Sequence, residues 1–318
     1  MPVMIAHNYD ERLAGKIAAV LPEGVDFRAL GANAETGWEV PAEAEILLIN
    51  QNSPEIGLHR GMVKPDGWPF NLKWVQLRST GIDKYPDWIF EVPQVCVTRG
   101  GYAVPISEYV LAAMLAQVKL IPEIWVRGAG QWQPRPRLGT LNGQTLGIIG
   151  FGEIGKAIAE KAQTFGMEII GTRRSGGPSG MEGVEIVSLG ELISRSDHIV
   201  VATPLTEETA GMLNVETLAG IKDGAHLINI GRGQVITEDG LRAALDGKLG
   251  AATLDVTVPE PLTDGHWLYS HPKVRISPHI SGSSPQSDAN ITAFFRRNLD
   301  RYLAGERLEG LVDPLARY

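Results

Sequence analysis

Three polar side chains in the second half of the chain are of the types that reduction of a ketone requires. Arg232, Glu260 and His279 each follow an apolar segment that predicts a β-strand. A guanidinium can bind a carboxylate through two hydrogen bonds and polarise the neighbouring ketone. An imidazolium can donate a proton to a developing alkoxide, and a carboxylate beside it favours the protonated ring. The three types together predict acid catalysis on a 2-keto acid, with Arg232 and His279 in contact with the substrate.

Each of the three residues also has an ordinary structural interpretation. Arg232 lies between two glycines and could belong to a turn, and Glu260 precedes a proline and could be a loop carboxylate. His279 is one of seven histidines, and a single histidine is more often structural or exposed. The hypothesis of a shared site depends on parallel strands, because ligands bind outside the carboxyl ends of such strands.

The elements that would position these residues alternate between strand and helix patterns, which predicts right-handed βαβ units and parallel sheets. The predicted strands are Val3–Ala6, Ile46–Ile49, Trp74–Leu77, Leu146–Ile149, Glu168–Thr172, Ile199–Ala202, Leu227–Ile230, Ala251–Asp255 and Val274–Ser277. The predicted helices include Glu11–Leu21, Ser107–Ile121 and Pro285–Ala304. A stretch rich in Gly, Pro and Gln at 128–143 is a candidate domain boundary, although the long helix before it could itself cross between domains.

A glycine motif directly after the strand Leu146–Ile149 predicts a dinucleotide site. The motif consists of Gly150, Phe151, Gly152, Glu153, Ile154 and Gly155. Its glycines permit a tight turn, close approach of the backbone to a pyrophosphate, and close packing of helix on strand. The N-terminus of the following helix offers unpaired N–H groups to the phosphates. An ordinary glycine-rich turn is the alternative.

The end of the second strand of this half indicates which dinucleotide binds. Dehydrogenases that use NAD usually carry Asp or Glu here, whereas this chain has Thr172, Arg173, Arg174 and Ser175. Guanidinium groups bind a 2′-phosphate that a carboxylate would repel. The sequence therefore predicts NADPH in preference to NADH, with Arg173, Arg174 and Ser175 at the phosphate. Two solvated surface arginines are the alternative.

Further residues at the ends of the predicted strands are expected to line the cofactor. They are Thr203, Pro204, Ile230 and Asp255.

Composition excludes several classes of protein. The 318 residues are 43% hydrophobic and 21% charged, which is typical of a folded globular chain. The net charge of -8 argues against nucleic-acid or anionic-membrane binding. A single cysteine, Cys96, excludes an internal disulfide and a multi-thiolate metal site, and it fits a reducing cytoplasm. No metal site is predicted.

These motifs resemble those of the D-isomer-specific 2-hydroxyacid dehydrogenases. The similar segments are Ser79–Asp83, Glu108–Tyr109, Gly147–Gly155, Thr203–Gly211, Asn229–Gly233, Thr253–Leu262 and Ser277–Gly282. The resemblance implies an α/β fold of two Rossmann-like domains with parallel sheets, the cofactor domain being inserted into the substrate domain. The implied boundaries are 1–97 with 288–318 for the substrate-binding domain, and 98–287 for the dinucleotide-binding domain.

The same resemblance implies residue roles. Arg232, Glu260 and His279 match the catalytic triad of the family, and Asp255 matches the acidic residue that holds the nicotinamide carboxamide. The backbone amides of Thr80 and Gly81 would bind the substrate carboxylate in a cleft between the domains. The family also implies a homodimer.

Within the family, the chain is most similar to the NADPH-dependent glyoxylate/hydroxypyruvate reductases. The segment 131–134 and the stretch Gly305-Glu306-Arg307 add to this similarity. Trp132 would either reach the active site of a partner subunit or pack in the dimer. Two other functions stay open: a family dehydrogenase for a bulkier 2-keto acid, and a non-catalytic nucleotide-sensing scaffold.

Overall fold

The chain forms two compact units. The structure, a computed structural model, describes residues 3–31, 39–51, 53, 58–132, 136–174 and 176–313. Unit 1 comprises residues 1–101 and 284–318, and unit 2 comprises residues 102–283. The stretch 128–143 lies inside unit 2, so the expectation of a domain boundary there is wrong. Gly139, within this stretch, donates its amide hydrogen to the carbonyl oxygen of Val118 in the preceding helix at 2.8 Å.

Unit 1 contains a five-stranded parallel sheet. Its strands are β1 (Met4–His7), β2 (Asp26–Ala29), β3 (Ile46–Ile49), β4 (Trp74–Leu77) and β5 (Gln94–Val97), in the spatial order β2-β1-β3-β4-β5. Each of its pairings is parallel. The predicted strands of this part are confirmed, and β2 and β5 are additional. β2 gives no apolar signal because it is an edge strand that carries the partly buried Asp26 and the exposed Arg28.

Unit 2 contains a seven-stranded parallel sheet in the order β12-β11-β10-β9-β6-β7-β8. Its strands are β6 (Thr145–Ile149), β7 (Glu168–Thr172), β8 (Val184–Ile186), β9 (His198–Val201), β10 (His226–Asn229), β11 (Ala251–Leu254) and β12 (Val274–Ile276). Strands β10, β11 and β12 are neighbours. The carboxyl ends of the strands that precede Arg232, Glu260 and His279 therefore lie along one edge of the sheet.

Eight α-helices connect and cover the two sheets in the described ranges. They are α1 (Glu11–Ala18), α2 (Ala103–Lys119), α3 (Glu153–Thr164), α4 (Leu189–Arg195), α5 (Val215–Ala219), α6 (Glu238–Asp246), α7 (Trp267–Ser270) and α8 (Pro285–Leu303). Helix α2 begins four residues before the sequence predicts, because Pro105 is tolerated in a first turn where its missing N–H would have no intrahelical partner. Helix α8 belongs to unit 1, where Phe295 stacks on the buried Trp74.

Four polar side chains of neighbouring segments of unit 2 are linked by hydrogen bonds in one series. His198 Nε2 lies 2.9 Å from Gln144 Oε1, and His198 Nδ1 lies 3.3 Å from His226 Nδ1. His226 Nε2 lies 2.8 Å from Thr253 Oγ1. Burial lowers the pKa of His198 to about 4 and that of His226 to about 3, so both rings are neutral near pH 7. His198 and His226 are the first residues of β9 and β10, so they lie at the amino edge of the sheet, opposite the edge with Arg232 and His279.

None of the helices in the described ranges combines the length and the apolar character that spanning a bilayer requires.

Candidate active site

The glycine motif forms a tight turn between β6 and α3. Gly150 has a φ of +93°, a conformation that residues with a Cβ rarely adopt. A Cβ at this position would also lie 2.8 Å from the backbone nitrogen of Thr203. Gly152, by contrast, has no atom within 4 Å of where its Cβ would be. The turn is therefore packed on the side that faces β9 and open at the start of the helix.

The first turn of α3 has amide groups available for an anion. Its N-cap residue, Gly152, makes no side-chain capping hydrogen bond. In the same unit Ser188 caps α4 and Thr237 caps α6 through their side-chain oxygens. Uncapped first-turn N–H groups and the positive end of the helix dipole bind phosphate. The backbone from Glu153 to Gly155 thus fits the pyrophosphate of a dinucleotide.

Two hydrogen bonds join the glycine turn to the end of β7. The amides of Gly150 and Phe151 donate to the carbonyl oxygen of Thr172 at 3.2 and 2.7 Å. Arg173 and Arg174, which follow, are both exposed. The Nη1 atom of Arg173 donates to the carbonyl oxygen of Pro178 at 3.0 Å. The backbone of the two arginines therefore follows directly on a residue that is bonded to the glycine turn. Ser175 lies outside the described residues.

The side chains of Glu260 and His279 are in hydrogen-bond contact in the part of the chain that follows β11 and β12. His279 Nδ1 lies 3.1 Å from Glu260 Oε2. The other carboxylate oxygen, Oε1, accepts a hydrogen bond of 3.2 Å from the amide of Thr257. The His279 side chain is 39% exposed. The carboxylate is thus fixed by its own loop, and it orients an imidazole that solvent or substrate can reach.

Asp255 fixes the turn that carries His279. His279 has a φ of +53°, a left-handed conformation that costs a non-glycine residue about 1–2 kcal/mol. Its amide donates to the carbonyl oxygen of Asp255 at 2.8 Å. The Asp255 carboxylate, which is 1% exposed, accepts hydrogen bonds from Ser277 Oγ at 2.6 Å and from the amides of Ile280 and Ser281 at 2.9 and 3.0 Å. Contact of Asp255 with nicotinamide stays a prediction.

Arg232 lies in the loop after β10, next to the loop that holds Glu260. The side chain of Asn229 shapes this loop, because it accepts from the amide of Gly231 at 3.1 Å and donates to the carbonyl oxygen of Arg232 at 3.0 Å. A Cβ on Gly233 would overlap the carbonyl oxygen of Thr257. The backbones of the two loops are thus in direct contact, one strand apart in the sheet.

The remaining predicted cofactor residues follow β9 and β10. Thr203 and Ile230 are buried, and Pro204 is exposed. Thr203 lies against Gly150, so it supports the glycine turn from the neighbouring strand. A contact of these three residues with a dinucleotide stays a prediction.

In unit 1, the predicted carboxylate-binding residues belong to a loop that internal hydrogen bonds fix. Thr80 Oγ1 donates to the carbonyl oxygen of Thr98 at 2.9 Å. Ser79 Oγ donates to the carbonyl oxygen of Gly81 at 2.7 Å. The role of Thr80 and Gly81 in substrate binding stays a prediction.

Sequence reasoning missed several residues that support the site. Asn229 and Thr257 hold the Arg232 and Glu260 loops, and both lie in segments that resemble the family. Tyr109 and Ser277 form a hydrogen bond across 168 residues of sequence. A pairing over this distance has no signal in local periodicity, whereas the turn residues Asn229 and Thr257 could have been suggested by their position at strand ends.

Comparison with known proteins identifies the family. The family model for the D-isomer-specific 2-hydroxyacid dehydrogenase, NAD binding domain, matches residues 111–281, which is more than half of the chain. The chain belongs to the D-isomer-specific 2-hydroxyacid dehydrogenases, so it is an oxidoreductase with an NAD(P)-binding domain. This confirms the family predicted from the sequence motifs.

Two curated relatives show which members of the family the chain is similar to. The chain is 35% identical to a glyoxylate reductase/hydroxypyruvate reductase of Homo sapiens over 250 residues, which are 74% of this chain and 75% of that protein. It is 35% identical to a glyoxylate/hydroxypyruvate reductase A of Serratia proteamaculans over 234 residues, 71% of this chain and 73% of that protein.

A solved structure of the family confirms the predicted fold class. A D-isomer-specific 2-hydroxyacid dehydrogenase from Xanthobacter autotrophicus, crystallised with NADPH and MES, is 27% identical and has a TM-score of 0.80. The similarity covers 100% of this chain and 99% of that one. The two sheets of parallel strands thus belong to the α/β architecture of this family.

Proposed function

We propose that this protein reduces small 2-keto acids, glyoxylate and hydroxypyruvate, to 2-hydroxy acids with NADPH. The observation that carries the proposal is the Glu260–His279 pair at 3.1 Å, at the sheet edge where the glycine turn also lies. The names of the human and Serratia relatives support the choice of substrate.

His279 is the proton donor in this proposal. Glu260 occupies Nδ1 through its carboxylate oxygen, so the proton leaves from Nε2 to the ketone oxygen of the substrate. A dinucleotide bound along the glycine turn would supply the hydride for the ketone carbon. The products are the 2-hydroxy acid and the oxidised cofactor, and the imidazole regains its proton from solvent, to which the ring is partly exposed.

Arg232 binds the substrate carboxylate in this proposal, and the Thr80 and Gly81 amides bind it as well. A planar guanidinium matches the geometry of a carboxylate and places positive charge beside the ketone. The contact between Gly233 and Thr257 supports this role, because it sets the Arg232 loop against the loop of the acid pair.

Preference for NADPH rests on Arg173 and Arg174. The amides of Gly150 and Phe151 bind the carbonyl oxygen of Thr172. The two arginines that follow Thr172 in the sequence therefore lie next to the turn that would hold the pyrophosphate. Residues 172–175 include no carboxylate that would repel a 2′-phosphate. The NADPH bound to the Xanthobacter relative adds support.

A substrate and cofactor panel tests the proposal. Initial rates are measured with glyoxylate, hydroxypyruvate, pyruvate and phenylpyruvate, each with NADPH and with NADH. We expect the largest kcat/KM for glyoxylate or hydroxypyruvate with NADPH. A preference for phenylpyruvate would indicate a dehydrogenase for bulkier keto acids, and no turnover with dinucleotide binding intact would indicate a nucleotide-sensing scaffold.

A charge reversal tests the cofactor preference separately. In the variant Arg173→Asp, we expect the kcat/KM ratio of NADPH to NADH to fall, because the carboxylate repels the 2′-phosphate and can bind the ribose hydroxyls. Arg127→Asp makes the same charge change at another exposed position of unit 2. Equal ratios in wild type and Arg173→Asp would refute the phosphate-binding role.

We also propose a homodimer in a reducing cytoplasm. The exposed Trp125 and Trp132 are of the kind that pack in subunit interfaces, and the lone Cys96 is fully buried. Light scattering on the purified protein would give a mass near twice 34.4 kDa for a dimer.

A further inference from the structure

We propose that Tyr109 is a positioning residue for His279, acting through Ser277 and Asp255. Helix α2 places the Tyr109 hydroxyl 2.6 Å from Ser277 Oγ. Ser277 Oγ lies in turn 2.6 Å from Asp255 Oδ1. The inference rests on the proposed function, since it concerns the residue assigned there as proton donor.

The direction of both hydrogen bonds follows from their chemistry. An ionised carboxylate only accepts, so the single hydroxyl proton of Ser277 points to Asp255. Ser277 Oγ is then an acceptor, and Tyr109 is the donor. Burial raises the pKa of Tyr109, in agreement with a neutral hydroxyl that donates. Both hydrogen bonds therefore point the same way, from Tyr109 on α2 to Ser277 and from Ser277 to the Asp255 carboxylate.

The Asp255 carboxylate controls the backbone on both sides of His279. It receives the Ser277 hydroxyl before the histidine, and it receives the amides of Ile280 and Ser281 after it. His279 occupies a left-handed conformation that persists only when its surroundings enforce it. Tyr109 fixes the position of Ser277 and thereby completes the set of contacts that hold this turn.

The tyrosine that holds Ser277 lies far from the His279 turn in the sequence. Tyr109 and Ser277 are 168 residues apart in sequence, and both belong to unit 2. Without the tyrosine hydroxyl, Ser277 keeps its hydrogen bond to Asp255 but loses the hydrogen bond that it accepts from α2. The imidazole then samples positions away from the productive one, and a small misplacement of a proton donor lowers kcat more than it lowers substrate affinity.

The test uses Tyr109→Phe, which removes only the hydroxyl, and Ser277→Ala, which removes the bridge. For Tyr109→Phe we expect kcat with NADPH and glyoxylate to fall by about tenfold, the factor that corresponds to loss of one neutral hydrogen bond. The KM for NADPH stays unchanged. The isotope effect on kcat with NADPH deuterated at the transferred position rises, because the chemical step becomes slower.

The double variant and a control separate positioning from general destabilisation. The double variant is expected to match Ser277→Ala alone, because both changes interrupt the same chain. Tyr302→Phe is the control, since its hydroxyl contacts Glu45 in unit 1. Its kcat and isotope effect should equal those of wild type.

A readout that needs no turnover completes the test. Hydrogen exchange of the peptide that contains residues 279–281 is expected to be about tenfold faster in Tyr109→Phe than in wild type, since one hydrogen bond that restrains this turn is lost. Exchange in β6 should be unchanged. Unchanged exchange at 279–281 together with unchanged kcat would overturn the inference. Absence of turnover in the wild type would refute the proposed function, while the exchange comparison would still decide the role of Tyr109.

Discussion

Acidification from pH 7 to pH 5 should destabilise unit 2 through the buried pair His198 and His226. With Gln144 Oε1 as an acceptor, His198 carries its proton on Nε2 and accepts at Nδ1 from His226. His226 Nε2 then accepts from Thr253 Oγ1. A second proton on His198 Nδ1 would face the N–H of His226. A second proton on His226 Nε2 would remove the acceptor of the Thr253 hydroxyl, so each ring is held in its neutral form.

The magnitude follows from the lowered pKa values. Burial lowers the pKa of His198 from 6.5 to about 4, against a weaker opposing effect of Asp197, and that of His226 to about 3. Above pH 6.5 both rings are neutral in the folded and the unfolded chain, so stability is fully present there. Below it the unfolded chain binds protons that the folded chain does not, and stability falls. At about 1.4 kcal/mol per pH unit, each histidine costs about 2 kcal/mol by pH 5.

The assay is urea unfolding at pH 7, 6 and 5 for the wild type and for His226→Gln. The variant removes one titrating ring and keeps a side chain that can hydrogen bond to His198. We expect the loss of unfolding free energy between pH 7 and 5 to be about 2 kcal/mol smaller in the variant. His59→Gln, at an exposed position, controls for loss of a histidine. Equal losses in wild type and His226→Gln would refute the reasoning.

Three further predictions concern the site. His279→Asn should lower kcat by about 10²–10⁴-fold while the Kd of NADPH stays the same, as measured by steady-state rates and fluorescence titration; a near-normal kcat would remove the proton-donor role. Gly233→Ala should destabilise the chain by about 1–3 kcal/mol in urea unfolding and lower kcat/KM, because the added methyl overlaps Thr257. Gly150→Ala should weaken NADPH binding, because its φ is positive and its Cβ would meet Thr203; an unchanged Kd would contradict the assigned phosphate turn.

Much of the fold could be predicted because buried parallel strands are continuous apolar segments. Strands such as Ile46–Ile49, Trp74–Leu77 and Glu168–Thr172 have the predicted limits, since their ends coincide with polar or glycine residues. Val184–Ile186 was missed because a three-residue edge strand has too little apolar sequence to produce a signal.

The site was predictable only in part. The residues that follow strands in one sheet could be placed at a common edge, and His279 and Glu260 are in contact there. The left-handed turn at His279 and the bonds of Asp255 within it depend on tertiary contacts. No local pattern in the sequence encodes them, because their partners come from other elements.

The contact of Gly233 with the carbonyl oxygen of Thr257 has a consequence for efforts to redesign this enzyme. The contact uses the main chain of Thr257, so exchanging the Thr257 side chain leaves it in place, and position 233 has no room for a side chain. Altered substrate range would have to come from residues outside this junction. In random libraries that include position 233, most variants would be destabilised.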